Sequence, residues 1–482
     1  MKKIQLITFS LLTAILMGGC GNDWMDLQPS TEIETEGSLT ELRDFEFVLN
    51  GAYSGMQSSS YYGATMMCYG DLTGDDMKCY KSSSTNVSYY TFKYNKTNGP
   101  SGFWSVYYGI AKNLNILLRD IDRIELVPDR VIITPKMEKL TEQVYHDDLK
   151  GEALAIRALM LFDMTRLYGY PYLKDNGASL AVPIMDNVVD DKNIKPSRNT
   201  TAECYKRIIE DLTEAVGLLR PVKKEGKINK WAAMTLLSRV YLYKGEDSEA
   251  YKVATEAIKG AEKQGYRLWT NEEYAKIWAT PFNSELLFEI VNLTTDSPGK
   301  SSIGYICTKY NMIATDKYWK KYLKGKSKDV RRQMVSAASS KKPYCLKYPA
   351  QGDKSYEDAN VPVFRLSELY LNAAEAAVKN NARAYLKPVY ARTGEDLDDL
   401  ADKSITLDLV LEQRRIEFWG EGQRFFDLIR NNRKVERKDY LSEVPEEARS
   451  FDWNYYKIVL PVPIHEMEYN ENMVQNPEYE QH

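Results

Sequence analysis

The sequence has few of the residues that metal and redox sites require. Its 482 residues include only three histidines and six cysteines, and no two cysteines form a C-x-x-C pair. Zinc and thioredoxin-type sites need such ligands at close spacing. The acidic segment from Asp71 to Asp76 lacks the D-x-D-x-D-G order of a calcium loop. The sequence therefore predicts no metal and no cofactor.

An excess of positive charge is also missing. Lys and Arg total 64 against 68 for Asp and Glu, which gives a formal net charge of −4. Proteins that bind nucleic acid carry basic patches or stripes, so DNA and RNA are not expected partners. The chain is 43% hydrophobic, which is enough to bury a large core and excludes disorder as its main state.

Long apolar runs are confined to the amino end. Lys2 and Lys3 precede a mostly apolar run from Ile4 to Met17, which is too short to span a bilayer comfortably. This layout predicts a signal peptide over residues 1–19. The following Gly-Gly-Cys resembles a bacterial lipobox, which implies cleavage before Cys20, acylation of that cysteine and a tether over residues 20–37. The alternative is an ordinary signal peptide in which Cys20 is incidental.

Helical signals dominate the rest of the chain. A capping-box pattern from Ser38 to Glu41 predicts a first helix, and further helices are expected at about 104–121, 148–168 and 200–219. Residues 231–258 match the spacing of small and large residues in a tetratricopeptide unit, with a turn at Gly245. The sequence thus predicts a mainly α fold built on stacked helix pairs.

Four segments resemble the SusD/RagB family of outer-membrane nutrient-binding lipoproteins. They are the "EA…RA…RLYG" helix at 152–169, the "R-x-x-E-x-Y-L-N-x-A-E-A" helix at 365–376, the charged run at 412–430 and the closing segment at 460–479. The resemblance implies about four tetratricopeptide-like helix pairs packed against an irregular, loop-rich lobe. It also implies an N-terminal SusD-like region over 38–270 and a C-terminal SusD/RagB region over 271–482.

The run from Glu412 to Arg430 has two interpretations. Paired carboxylates at fixed separation could act as the acid and base of a glycoside hydrolase. Glu417, Glu421 and Arg424 are instead spaced by four and seven residues, which places them along one helix edge where they neutralise one another. We expect a structural ion-pair network here and no enzymatic activity.

Aromatic residues with polar tips are unusually abundant, with 35 Tyr against 13 Phe and 8 Trp. Rings with hydroxyl tips, beside Ser, Asn and Asp, supply flat area and hydrogen bonds for a sugar, whereas the alternative is that the rings only cover helix ends. The predicted ligand-binding residues lie in two segments without helical periodicity: Tyr61, Tyr62, Tyr69, Asp75, Asp76, Tyr80, Asn86, Tyr89, Tyr90, Trp278, Tyr305 and Trp319.

These observations lead to one functional expectation. The chain is predicted to be an outer-membrane, lipid-anchored protein facing the cell exterior that binds an oligosaccharide, and the family resemblance implies delivery to a TonB-dependent SusC-like transporter. Peptide capture of the RagB kind remains the main alternative, and a pure scaffold protein is a further one. A disulfide between Cys68 and Cys79 is left open, because an exported chain can keep one.

Overall fold

The computed structural model describes residues 39–186, 194–309, 312–324, 328–336, 342–378 and 381–481. Glu41–His482 form one compact unit. The predicted signal peptide, the tether and Cys20 lie outside the described residues.

Helices make up most of the described chain. Its α-helices are α1 (Leu42–Met56), α2 (Thr65–Leu72), α3 (Val87–Thr91), α4 (Gly102–Asp120), α5 (Glu142–Tyr168), α6 (Tyr172–Asp175), α7 (Thr201–Leu218), α8 (Lys230–Lys244), α9 (Asp247–Lys263), α10 (Tyr274–Ile277), α11 (Ile303–Thr308), α12 (Asp316–Tyr318), α13 (Leu366–Ala376), α14 (Ala382–Tyr390), α15 (Leu407–Glu417), α16 (Arg424–Arg430), α17 (Ile464–Tyr469) and α18 (Pro477–Gln481).

The strands are few and short. They are β1 (Met77–Cys79), β2 (Val131–Ile133), β3 (Lys139–Thr141), β4 (Leu286–Ile290), β5 (Met312–Ala314), β6 (Val361–Arg365), β7 (Val435–Glu436) and β8 (Ser450–Phe451). They pair antiparallel as β1 with β5, β2 with β3, β4 with β6, and β7 with β8.

The long helices form a stack of four pairs, α1 with α4, α5 with α7, α8 with α9, and α13 with α14, and each pair packs on the next. This confirms the predicted tetratricopeptide-like scaffold. Small residues permit the close approach: Ala250, Ala254, Ala257 and Ala261 on α9 are all buried. The remaining segments form the irregular lobe.

Local capping fixes where the helices begin. Thr200 caps α7 in a capping box with Glu203, and the Asn229 side chain accepts hydrogen bonds from the first backbone N–H groups of α8. Ser38, the first residue of the predicted box, lies outside the described residues. Glu41 is itself the N-cap, paired with Asp44, and the helix starts at Leu42.

Distant parts of the chain build the irregular lobe. Met77 of β1 pairs with Ala314 of β5, and the Asp71 carboxylate accepts the Gly422 N–H at 2.9 Å. The backbones approach so closely that a Cβ on Gly70 would lie 1.8 Å from the Gly422 carbonyl oxygen. Segments about 240 and 350 residues apart are therefore locked together.

None of the helices in the described ranges combines the length and the apolar composition that crossing a membrane requires.

Candidate functional site

Asp75 and Asp76, two predicted ligand residues, lie inside the protein and are paired with arginines. Arg424 Nε donates to Asp75 Oδ1 at 2.8 Å, and Arg415 Nε donates to Asp76 Oδ2 at 2.7 Å. Burial acts to raise the pKa of Asp75, but the guanidinium groups of Arg424 and Arg415 outweigh it and lower that pKa. These carboxylates are held by protein cations, so we reassign them from ligand contact to the interior ion-pair network.

Tyr61 and Tyr62 are also interior residues. Each is 3% exposed, and their hydroxyls donate to the same Asp163 Oδ2 atom at 2.6 and 2.8 Å. Asp163 accepts a further hydrogen bond from Arg166. Their polar tips therefore complete an internal hydrogen-bond network on α5 and are reassigned from ligand contact to packing.

Three more predicted rings are sealed in the core. Tyr69 lies between Tyr89 and Phe425, edge-on to both, and Trp278 packs 4.9 Å from Trp269. The Tyr90 ring lies under the guanidinium of Arg437. Because tertiary neighbours surround these rings, their faces cannot meet a sugar, and we reassign Tyr69, Tyr90 and Trp278 to the core as well.

The other five predicted residues reach the surface to different extents. Tyr80 is exposed, and the other four are partly exposed. Asn86 caps α3 in a left-handed conformation, and Tyr89 contributes its edge to the core ring cluster. Tyr305 and Trp319 lie on α11 and just after α12, respectively.

Tyr80 belongs to a surface that we call the Tyr80 face, made of Lys78, Tyr80, Lys342 and Asp439. Side chains alternate in direction along β1, and those of Met77 and Cys79 point inward. The side chains of Lys78 and Tyr80 therefore point outward, on the same side of the strand. The Lys342 ammonium lies 4.0 Å from the Tyr80 ring centroid. Asp439 pairs with Lys78. The face thus combines aromatic area with hydrogen-bonding groups of both charges.

Tyr305 and Tyr356 form a second aromatic pair. The Tyr305 ring centroid lies 6.4 Å from that of Tyr356 with the planes inclined by 34°. The Lys309 ammonium lies 5.6 Å from each ring centroid. We call these three residues the Tyr305 face.

Lys342, Tyr356 and Asp439 are not among the residues predicted from the sequence. No local pattern marks them, since each joins its surface only through the tertiary fold. Lys342 and Asp439 are more than 200 residues from Tyr80 in the chain.

The charged run at 412–430 forms an ion-pair network, as predicted. Its carboxylates do not lie along one continuous helix, in contrast to the prediction. The helix α15 ends at Glu417, and Gly420 and Gly422 adopt positive φ angles of 82° and 71° before α16 begins. Glu417, Glu421 and Arg424 therefore do not share one helix edge. The two positive φ values favour glycine and allow the chain to turn there.

Cations from other elements neutralise these carboxylates instead. Arg365 donates to Glu417 Oε1 at 2.7 Å and to Glu421 Oε1 at 2.8 Å. Burial would raise the pKa of Glu417, but Arg392, Arg365 and Arg331 hold it well below the usual range. A carboxylate that is kept ionised by surrounding arginines makes a poor general acid.

A cleft of 480 Å³ lies on the helical scaffold. Its walls come from α1, the β2–β3 hairpin, α5 and the loop before α8. Its inner carboxylates are already paired, because Asp148 and Glu152 both contact Lys224 at 2.8 Å. None of the predicted ligand residues lines this cleft.

The five cysteines in the described ranges are buried free thiols. The structure therefore gives no bridge between Cys68 and Cys79. Burial raises the pKa of the Cys79 thiol to about 12, which disfavours the thiolate needed for disulfide exchange.

Comparison with known proteins identifies the family to which this fold belongs. A family model described as "SusD family" matches residues 269–479, and one described as "Starch-binding associating with outer membrane" matches residues 23–242. A SusD superfamily protein from Bacteroides vulgatus is 34% identical, with all of that chain and 92% of this one covered and a TM-score of 0.82. The chain belongs to the SusD/RagB family.

Two further relatives are similar to this chain over most of its length. A crystal structure from Bacteroides vulgatus, of a protein provisionally described as sugar-binding, is 46% identical with a TM-score of 0.85, covering 92% of this chain and all of that one. The SusD-like protein P38 of Formosa agariphila is 22% identical over 90% of this chain and 93% of its own length. The SusD-like fold therefore extends over nearly the whole sequence.

Proposed function

We propose that this SusD/RagB family member binds an oligosaccharide at the Tyr80 face and delivers it, without chemical change, to a TonB-dependent SusC-like transporter. The observation that carries the proposal is the exposed Tyr80 ring with a lysine 4.0 Å from its centroid and a neighbouring Lys78–Asp439 pair. The provisional description of the 46% identical relative as sugar-binding supports the same class of ligand.

The chemistry of the face suits a sugar. The apolar C–H face of a pyranose stacks on an aromatic ring, while its hydroxyls need donors and acceptors around the ring rim. Tyr80 supplies the ring, Lys78 and Lys342 supply donors, and Asp439 supplies an acceptor. The Tyr305 face, with two rings and one ammonium, offers a second platform for a longer chain.

The proposal includes no bond cleavage. A glycoside hydrolase needs two opposed carboxyl groups with different protonation states beside the scissile bond. The best-placed candidates by sequence, Glu417 and Glu421, are buried and held by Arg365. Binding and transfer remain as the function that these side chains support.

The location in the proposal is the outer membrane, facing the cell exterior. The matching family model is described as associating with the outer membrane, and the lipobox-like sequence ending at Cys20 supplies the anchor. Mass spectrometry of protein purified from its native host would detect acyl chains on Cys20. A mature chain without acylation would contradict the anchor but not the ligand.

Affinity electrophoresis and calorimetry against a panel of glycans test the ligand. Tyr80→Ala should weaken binding of the recognised glycan by about tenfold, because the stacking area is lost, whereas Tyr80→Phe should retain most of it. Tyr469→Ala is the matched control, since Tyr469 is a 79% exposed tyrosine on α17.

Two outcomes of this panel would contradict the proposal. Equal binding by Tyr80→Ala and Tyr469→Ala would remove the Tyr80 face as the site. If the protein bound peptides but no glycan at millimolar concentration, the ligand would be a peptide, and the function would be peptide uptake of the RagB kind.

A further inference from the structure

The hairpin formed by β2 and β3 exposes an unusual amount of apolar surface. Val131, Ile133 and Met137 are 62%, 60% and 78% exposed, and Val127 just before the hairpin is 52% exposed. Single exposed apolar residues are common on soluble proteins, but a contiguous group marks an interaction surface.

The pairing of the strands puts these side chains on one side. Ile132 is paired with Leu140, and both are partly buried against the unit. Val131 and Ile133 alternate with Ile132 and so point to the opposite, outer face. Met137 occupies the turn between the strands with a φ of 62°. The apolar group therefore covers the outer face and the tip of the hairpin.

After internal pairing, the charges left free beside the tip of the hairpin are positive. Glu138 is bound by Arg220 at 2.8 Å, and Glu142 accepts hydrogen bonds from Arg130 Nε and the Val127 N–H. In the part of the chain that the structure describes, Lys136 and Lys139 form no ion pair. Two free ammonium groups therefore flank the apolar tip, whereas the unpaired carboxylates, Glu125 and Asp129, precede the hairpin in the chain.

An apolar tip flanked by lysines matches the interface of an anionic bilayer. Apolar side chains enter the boundary between headgroups and acyl chains, while lysines extend to the phosphate groups. The unpaired lysines thus complement negatively charged headgroups, which a purely apolar protein partner would not require.

The start of the compact unit lies on the same side as the hairpin. Glu46 and Leu49, in the first turns of α1, line the 480 Å³ cleft together with Thr134 and Lys136 of the hairpin. The residues between Cys20 and Leu42 could span at most about 70 Å. A lipid on Cys20 would therefore tether the unit to a bilayer through a segment that enters the unit on the side of the hairpin.

We propose that the β2–β3 hairpin inserts its apolar tip into the headgroup region of an anionic lipid bilayer. The lipid tether of the proposed function brings the hairpin close to the membrane, whereas the affinity belongs to the hairpin itself. The contact orients the tethered protein and does not involve the glycan-binding faces.

Vesicle sedimentation of residues 21–482 tests the proposal, because this chain keeps the whole compact unit without the leader or the lipidated cysteine. It should associate with vesicles of phosphatidylcholine and phosphatidylglycerol, and less with phosphatidylcholine alone. The double substitution Ile133→Asn and Met137→Asn should lower the partition coefficient about tenfold. The matched control is Val474→Asn, at an apolar residue that is 52% exposed elsewhere.

A second readout reports insertion directly. An environment-sensitive dye on Met137→Cys should shift to shorter wavelength when anionic vesicles are added, and the five cysteines of the described ranges are buried and should not compete for the label. Thermal melting of each variant shows that the fold is intact.

Absence of vesicle binding by the unsubstituted chain, or equal binding by the tip variant and Val474→Asn, would overturn the proposal. Neither result depends on acylation of Cys20 or on glycan binding, so a failure of the proposed function is distinguishable from a failure of this inference.

Discussion

Asp76 shows how much the role of a single residue depends on its surroundings. It is 1% exposed and hydrogen-bonded to Arg415. Removing one partner of a buried pair leaves the other charge uncompensated, which costs about 3–5 kcal/mol. We therefore expect Asp76→Asn to lower the free energy of unfolding by about 3 kcal/mol, measured by urea denaturation.

Asp439→Asn is the matched control for that substitution. Asp439 pairs with a lysine at the surface, where its side chain is 27% exposed, and partly exposed pairs contribute about 0–1 kcal/mol. Equal destabilisation by Asp76→Asn and Asp439→Asn would show that burial of the Asp76 pair has no special weight. Loss of glycan binding by a fully stable Asp76→Asn variant would restore Asp76 as a ligand residue.

The sequence could not separate exposed tyrosines from buried ones. Tyr69 and Tyr80 lie in the same Tyr/Ser-rich segment and have similar local neighbours. Tyr69 is buried because Phe425, which is more than 350 residues away, packs against it. Tyr80 is exposed because it follows the end of β1. Burial of this kind is decided by tertiary partners, which composition and spacing do not reveal.

The helices, in contrast, were predictable because their signals are local. Capping residues, apolar spacing and small residues lie within each helix, and the predicted 104–121 and 200–219 compare with α4 and α7 at Gly102–Asp120 and Thr201–Leu218. The break between α15 and α16 was missed, although Gly420 and Gly422 in the sequence are a signal for it. The partners of Glu417 could not be predicted, since they come from distant elements.

Contact between α8 and α9 leads to a prediction at the scale of the helix pair. Gly260 lies on α9, and a Cβ there would be 2.2 Å from the Trp231 ring on α8. Gly260→Ala should force the helices apart and lower the free energy of unfolding by about 1–3 kcal/mol, as measured by chemical denaturation.

Gly217 on α7 provides the matched control. A Cβ there would meet no atom within 4 Å, so Gly217→Ala should raise the free energy of unfolding by about 0.5–1 kcal/mol through helix propensity alone. If both alanines were stabilising, the proposed steric conflict between Gly260 and Trp231 would be refuted.

The stability of the whole molecule should depend on pH through its buried carboxyls. Burial raises the pKa of Asp71 from 3.8 to about 8. The folded state therefore holds a proton that the unfolded state releases, and this contribution to stability is complete below pH 3.8 and is lost as pH rises toward 8. Asp427 has the opposite sign, since Arg414 and Arg430 outweigh burial and lower its pKa to about 2.

Asp71→Asn should remove the first of these effects. Asn can still accept the Gly422 N–H but does not titrate. The free energy of unfolding of the unsubstituted chain, relative to Asp71→Asn, should fall by roughly 1.4 kcal/mol per pH unit between the two Asp71 pKa values. Urea denaturation in a series of buffers measures this difference, and parallel curves for the two proteins would show that Asp71 is not protonated in the fold.

The close approach of Gly70 to Gly422 and the pairing of β1 with β5 have a consequence for the Tyr80 face. The Tyr80 face takes side chains from near residue 80, from Lys342 and from Asp439. A chain that ends before Asp439 lacks part of this face. Under the proposed function, glycan binding at this face would therefore require the chain as far as Asp439, and a copy truncated before that residue should not bind the glycan.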